Sequence, residues 1–284
     1  VTESDAKEFD TYRSFLAGLA YRMLGSIAEA DDIVQDAYLR WANVDRSTVT
    51  HPRAFLARVV TRLCLDRMKS AASRREQYVG TWLPEPVVAA PAEPMADDLS
   101  VALLLTLERL SPLERAAFLL HEVFDMGYGD IAGALDRSEE ACRQLATRAR
   151  QHVRHERPRF APTDGDREKL FAAFEAVLTR GDVSEFARLL AEDAVLYADG
   201  GGKRAAVLEP VHGKQNILHL LETIAAQRRF LRPDQLQRAA INGLPGFVVQ
   251  ADDGVQTTAF EAVGGRIVAV YVVRNPDKLQ HLVS

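Results

Sequence analysis

Three groups of residues in this chain have the types and spacing to do chemistry. Between positions 139 and 154, Glu140, Arg143, Gln144, Thr147, Gln151 and Arg154 fall on one side of a helix at about 100° per residue, and Cys142, Leu145, Ala146, Ala149 and Val153 fall on the other. A row of guanidinium, amide and hydroxyl groups can bridge phosphates and base edges, as a helix lying in a DNA major groove must. The solvated side of an ordinary amphipathic helix has the same pattern. The second group, Asp31, Asp32, Gln35 and Asp36, sits on a helical pattern whose other side is Ile33, Val34, Ala37 and Trp41. It suits a basic groove on a protein partner, and acids at the positive end of a helix would also look like this. The third group is Tyr197, Asp199, His212 and His219, with Gly200, Gly201, Gly202 and Lys203. It could support acid/base catalysis or an anion-binding nest of backbone amides. Lone histidines are commonly structural, and a glycine run also suits a hairpin tip.

The elements that position these groups can be read from periodicity. Tyr12, Phe15, Leu16, Leu19 and Met23 recur at helical spacing up to Gly25, Ser26 and Glu29 form a capping pair for a second helix, and Pro52 opens a third carrying Phe55, Leu56, Val59, Val60 and Leu63. From 78 to 98 the pattern dissolves into Pro84, Pro86, Pro91 and Pro94, an extended linker. Helices resume at Leu99. Ser111-Pro112-Leu113-Glu114 is a capping box with proline at the first helical position, a short helix spans 128 to 135, and the turn Asp136-Arg137-Ser138 precedes the long helix to about 155. The short helix and its turn convert the first polar row from an isolated face into half of a helix-turn-helix, which favours the DNA reading. Past a second proline-flanked boundary near 157–165, helical segments precede strand-like runs at 194–198, 237–241, 246–251, 255–262 and 266–273. Helices followed by a curved antiparallel sheet describe an α+β domain.

Length and charge agree with several domains. The chain has 284 residues and a formal net charge of −5, which argues against a uniformly basic nucleic-acid binder. The charge is segregated, however. Arg53, Arg58, Arg62, Arg67, Lys69, Arg74 and Arg75 face only Asp66 in their segment, and six arginines between 143 and 159 face only Glu156. The longest apolar runs, 101–107 and 267–273, are far short of the roughly 20 residues that cross a bilayer, and no leader pattern is visible, so a cytoplasmic protein is expected. Cys64 and Cys142 have no metal-ligand or redox spacing. No metal site and no cofactor are expected.

Two segments carry a family resemblance. Leu110-Ser-Pro-Leu-Glu-Arg-Ala-Ala-Phe-Leu-Leu120, followed by Tyr128, Ile131, Ala132 and Leu135 and ending at Arg148-Ala149-Arg150, resembles the minus-35-reading region of extracytoplasmic-function sigma factors. Glu29-Ala-Asp-Asp-Ile-Val-Gln-Asp-Ala-Tyr-Leu-Arg-Trp41 is similar to the polymerase-binding helix of that family, with Asp32, Gln35, Asp36 and Trp41 matching its pattern. The resemblance implies that Asp31, Asp32, Gln35, Asp36 and Trp41 serve core RNA polymerase. It also implies that the third helix meets the minus-10 element of promoter DNA through Arg53, Arg58, Arg62, Arg67 and Lys69, that the loop 43–51 pockets a flipped base, and that Arg148 joins the minus-35 set. Two positions depart from the family: Arg62 stands where asparagine is usual, and Phe55 where tryptophan is common.

The remainder resembles a SnoaL-like cone, and the motifs Trp82-Leu-Pro84-Glu-Pro86, Asp199-Gly-Gly-Gly-Lys203 and Asn275-Pro276-Asp277-Lys278-Leu279 resemble those of sigma factors with such an extension. The expected organisation is a sigma region 2 bundle (1–77), a linker (78–98), a region 4 helix-turn-helix (99–160) and a C-terminal regulatory domain (161–284). The resemblance implies a non-enzymatic initiation factor for stress promoters. In it the 199–203 and 275–279 motifs contact the linker, the extension replaces a separate anti-sigma factor, and the C-terminal pocket is open to an unidentified small ligand. The alternative is a helix-turn-helix regulator fused to a ligand-binding or isomerase-like domain. Fold analogy alone does not establish chemistry.

Overall fold

The computed structural model describes residues 3–75, 78–89, 100–154, 164–227 and 230–282. The chain divides into two compact units, Val1–Gln77 with Ala102–Arg157, and Tyr78–Val101 with Pro158–Ser284. The helical halves expected on either side of the linker therefore fold as one unit, and the linker belongs to the other.

In the helical unit, α1 (Glu3–Leu24) stops at Gly25, whose φ of 70° suits a residue without a side chain. Ser26 then caps α2 (Ile27–Ala42), its hydroxyl accepting from the Glu29 amide at 3.2 Å. The long helix α3 (Pro52–Arg75) completes the bundle. Leu16, Leu19 and Met23 of α1 are buried, as are Ile33, Val34 and Trp41 of α2 and Leu56, Val60 and Cys64 of α3. After α4 (Val101–Glu108), Ser111 and Glu114 form the capping box of α5 (Pro112–Phe118). From Leu119 to Val123 the helix widens into a π turn, so that the Phe124 amide reaches back five residues to Leu119 O at 3.0 Å. The helix α6 (Tyr128–Leu135) ends on Asp136 in the left-handed region (φ 55°), and Ser138 caps α7 (Glu139–Arg154).

The second unit is built on one seven-stranded sheet in the order β1-β4-β5-β6-β7-β2-β3. Helices α8 (Asp164–Arg180) and α9 (Ser184–Leu189) lead into β2 (Leu190–Asp199), then β3 (Val211–His212) and α10 (Lys214–Gln227). The strands β4 (Leu236–Ile241), β5 (Leu244–Ala251), β6 (Gly254–Val263) and β7 (Arg266–Val273) form a meander. Its β4–β5 hairpin turns on Asn242-Gly243, both at positive φ. The sheet is not wholly antiparallel as expected, because β2 pairs with β7 in parallel. The two strands are far apart in sequence, so no tight turn dictates their relative direction.

Alternation along β2 sends Ala194, Leu196 and Ala198 into the core, which puts Tyr197 and Asp199 on the opposite side of the sheet. Phe171, Phe174, Phe186, Phe247 and Phe260 fill that core, with ring centroids as close as 4.7 Å. The cleft lined by Leu170, Leu189, Pro245 and Ile267 offers about 20 Å3, against the roughly 300 Å3 or more of a small-molecule site.

The segment expected as an extended linker is extended over residues 78–89 and lies on this sheet. Its strand β1 (Val88–Ala89) pairs antiparallel with β4, Val88 opposite Ile241. Asn242 exchanges hydrogen bonds with Val87 in both directions. Pro91 and Pro94 lie outside the described residues.

Candidate nucleic-acid interface and linker strap

On α7 the two sides separate as the spacing required. Cys142, Leu145, Ala146, Ala149 and Val153 are buried, and Glu140, Arg143, Gln144, Thr147, Arg148 and Gln151 are exposed. The side chain of Arg154 lies outside the described ones. The exposed arginines are not equivalent. Arg143 is held by Glu139 at 2.8 Å, with its guanidinium 5.3 Å from the Tyr128 ring. Arg148 donates to Glu114 at 2.9 Å, and the neighbouring Arg150 donates to Glu122 at 3.1 Å, so this pair ties α7 to α5 and to the π turn. Burial works against the Glu114 carboxylate, but hydrogen bonds from Ser111 and Arg148 outweigh it and hold the carboxyl below its usual range.

On α2, Asp31, Asp32, Gln35 and Asp36 form one exposed side, as the residue types suggested. Trp41 is 1% exposed, with its ring 5.9 Å from Phe55, so it sets α2 on α3 and offers a partner no surface of its own. Sequence reasoning passed over Leu39, which is 59% exposed and lines, with Arg40, Asn43, Val44 and Phe55, an open groove of about 400 Å3. Its signal was present: Leu39 is an apolar residue out of phase with the buried stripe of Ile33, Val34, Ala37 and Trp41.

The five cations assigned to α3 separate in space. Arg67 turns to α2, pairing with Asp32 at 3.1 Å and Glu29 at 3.7 Å. Lys69 pairs with Asp66 along the helix at 3.1 Å, and the Arg58 guanidinium lies 5.4 Å from the Phe55 ring centroid. Arg53 donates to Phe124 O at 2.8 Å and covers the Phe15 ring at 4.8 Å. Arg62 forks across two carbonyls of α6, Gly133 O at 3.2 Å and Ala134 O at 3.3 Å.

In the sheet unit the three resembling motifs meet at Asp199, which is fully buried. One of its carboxylate oxygens accepts from the Tyr78 hydroxyl and from the Gly201 amide at 3.0 Å. The other accepts from the Leu83 amide at 2.9 Å and from Lys278 Nζ at 2.7 Å. Lys278 also donates to Leu83 O and sits 4.3 Å from the Trp82 ring centroid and 5.0 Å from that of Tyr78. Asn275 donates to the Tyr78 oxygen at 2.8 Å, Lys203 pairs with Asp277, and His281 reaches Pro86 O at 2.9 Å. Pro84 and Leu279 are buried. Burial, followed by the neighbouring Asp199 carboxylate, pushes the Tyr78 hydroxyl well above its usual range. Residues 78–89 form a strap on this unit, and a paired charge out of water pins it.

The glycines of the motif are required by space. A Cβ on Gly201 (φ 59°) would stand 2.2 Å from Asn275 Nδ2, and one on Gly200 would stand 2.1 Å from Arg204 O. Of the expected nest amides, that of Gly201 donates to the chain's own Asp199. His212 and His219 are exposed, and Tyr197 stacks on Tyr271 at 5.5 Å, so the structure does not gather Tyr197, Asp199, His212 and His219 into one acid/base site.

Comparison with known proteins gives a consistent result. The sigma-70 region 2 family matches residues 9–74, and the sigma-70 region 4 family matches residues 100–153. The chain is 35% identical to the ECF RNA polymerase sigma factor SigJ of Mycobacterium tuberculosis, over 96% of this chain and 93% of the relative. It is 31% identical to the probable ECF RNA polymerase sigma factor SigI of the same species, over 95% and 93%. The crystal structure of Mycobacterium tuberculosis SigJ matches with a TM-score of 0.79 and 32% identity, covering 97% of this chain and 98% of that one.

Proposed function

The chain belongs to the extracytoplasmic-function RNA polymerase sigma factors, and on that premise we propose how its residues divide the work of directing core polymerase to a promoter. Asp31, Asp32, Gln35 and Asp36 dock on polymerase as a row of carboxylates and an amide beside the exposed Leu39. The Arg58, Arg62 and Lys69 side of α3 takes the backbone of the minus-10 element. The groove lined by Leu39, Asn43, Val44 and Phe55 takes an unstacked base from it. The exposed Arg143, Gln144, Thr147 and Gln151 of α7 read the minus-35 element.

The observation that carries this reading is the separation of the two sides of α7 immediately after the left-handed turn at Asp136. It presents a polar row from a buried footing, as a recognition helix requires. Run-off transcription with core polymerase is the test. Transcripts are expected to fall sharply with Asp32→Ala/Asp36→Ala through lost recruitment, and with Gln144→Ala/Thr147→Ala on promoters carrying the minus-35 element only. Transcription that ignores both pairs would reject the assignment.

The C-terminal domain regulates from the strap, in place of a separate anti-sigma factor. It holds the stretch that joins region 2 to region 4 through Asp199, Asn275 and Lys278, and it thereby limits how far the two DNA-reading regions can part. Its core is occupied by phenylalanine rings, which favours a structural and regulatory role over ligand chemistry. A chain ending near position 159 is expected to transcribe with a different promoter preference from the full chain, and identical profiles would reject regulation by the strap.

A further inference from the structure

Beyond assigning faces, the structure shows what one of their cations holds. A helix leaves its last carbonyls without partners inside the helix. At the end of α6, Ala132 O accepts from the Arg137 amide. The next two carbonyls, Gly133 O and Ala134 O, accept from the two arms of Arg62 on α3. The C-terminal end of a helix carries roughly half a negative charge, so two carbonyl oxygens there present a guanidinium with what a phosphate presents: a pair of acceptors in a negative field.

Around this fork the two regions close further. Phe124, turned out by the π turn, meets Phe15 edge-on at 5.0 Å and lies under the Arg22 guanidinium at 5.3 Å. Arg53 binds Phe124 O. Arg115 of α5, 1% exposed, donates to Met23 O of α1 at 2.7 Å.

We propose that the end of α6 is an internal substitute for a promoter phosphate, and that its grip on Arg62 latches regions 2 and 4 into a closed pair that cannot engage a promoter. The inference rests on the assignment of α3 to the minus-10 and α7 to the minus-35 element. Those elements are about 25 base pairs apart, roughly 85 Å of duplex at about 3.4 Å per step, whereas α3 and α6 are in hydrogen-bonding contact. Both elements cannot be read until the pair opens, and opening frees the guanidinium that then takes a phosphate. The position of the latch matches a departure noted in the sequence: Arg62 stands where the resembling family commonly has asparagine. An asparagine side chain is too short to span both carbonyls.

The test uses the full chain with fluorophores on Thr11→Cys and His152→Cys. Both sites are exposed, and the native Cys64 and Cys142 are buried. High energy transfer is expected in the free protein and low transfer once core polymerase is added. Arg62→Asn and Phe124→Ala should each lower transfer without polymerase. Phe124→Ala, which lies outside every DNA contact assigned above, should also tighten polymerase-free binding to a duplex carrying both elements roughly tenfold, the scale of a lost edge-on ring pair and cation–π contact. Transfer that stays high in both variants, or that falls with no gain in DNA binding, would overturn the latch. A wild-type chain that gives no polymerase-dependent transcript would overturn the promoter reading itself, whatever the fluorophores report.

Discussion

Where the strap meets the C-terminal sheet, charge is buried, paired and enclosed by glycines. Where α3 meets α6, charge is exposed and given to bare backbone. Asp199 and Lys278 are both buried, which is tolerable only because the carboxylate accepts from Tyr78, Gly201, Leu83 and Lys278 together. Arg62 keeps contact with solvent and shares its donors with carbonyls that lack a backbone partner. The first junction should be hard to open and sensitive to every component. The second should open at modest cost, as a contact must if a promoter is to displace it.

The largest effect is expected on the strap side. Asp199→Ala strands the Lys278 ammonium in the interior and should destabilise the fold by about 3–5 kcal/mol. This would be seen as a lower melting temperature and new protease cleavage within 78–89, and an unchanged melt would remove the claim that this pair pins the strap. Next, Arg115→Ala removes a guanidinium whose pKa burial has pushed down to about 10, together with its bonds to Glu108 and Met23 O. A loss of about 2 kcal/mol is expected in a denaturant titration. Gly201→Ala combines left-handed backbone with a collision at Asn275 and should lose about 1–3 kcal/mol, the strap again being the casualty in proteolysis. Ser111→Ala, which removes the cap of the helix carrying Arg115, should lose about 1 kcal/mol.

The same cap sets a pH dependence. The folded carboxyl of Glu114 lies below its unfolded value, so its stabilisation is complete above that value, about 4.3, and is lost as the pH falls through the lower folded one. A helical unit that melts at the same temperature at pH 6 and pH 3 would contradict it.

The contrast between the junctions also explains what could be read from the sequence. The strap is gripped by side chains of the sheet unit, and Trp82, Pro84, Asp199 to Lys203 and Asn275 to Leu279 are marked before any coordinates by the resemblance of their motifs to those of sigma factors with such an extension. The latch is half backbone. Arg62 is visible as a cation, but nothing in the letters Gly133 and Ala134 says that their carbonyls are bare and turned toward α3. The fold follows the same rule. Helix α6 and strand β7 have the limits that periodicity set, and the capping pairs Ser26–Glu29 and Ser111–Glu114 form, because each is decided within a few residues. The parallel β2–β7 pair, the annexation of 78–89 by the sheet and the assembly of the helical regions into one unit depend on partners far along the chain, which local pattern does not report. The π turn at Leu119–Val123 is local but leaves no mark in residue type.

The strap has one more consequence, which concerns the order of synthesis. Its hydrogen bonds to Asp199 join residues 116 and 121 positions apart, and those to Lys278 and His281 join residues 195 positions apart. At about 5–20 residues per second on the ribosome, the promoter-reading helices emerge on the order of ten seconds before the residues that will hold the strap. In a nascent chain residues 78–89 therefore have no sheet to bind, and the strap forms only once Asp199, Lys278 and His281 have emerged.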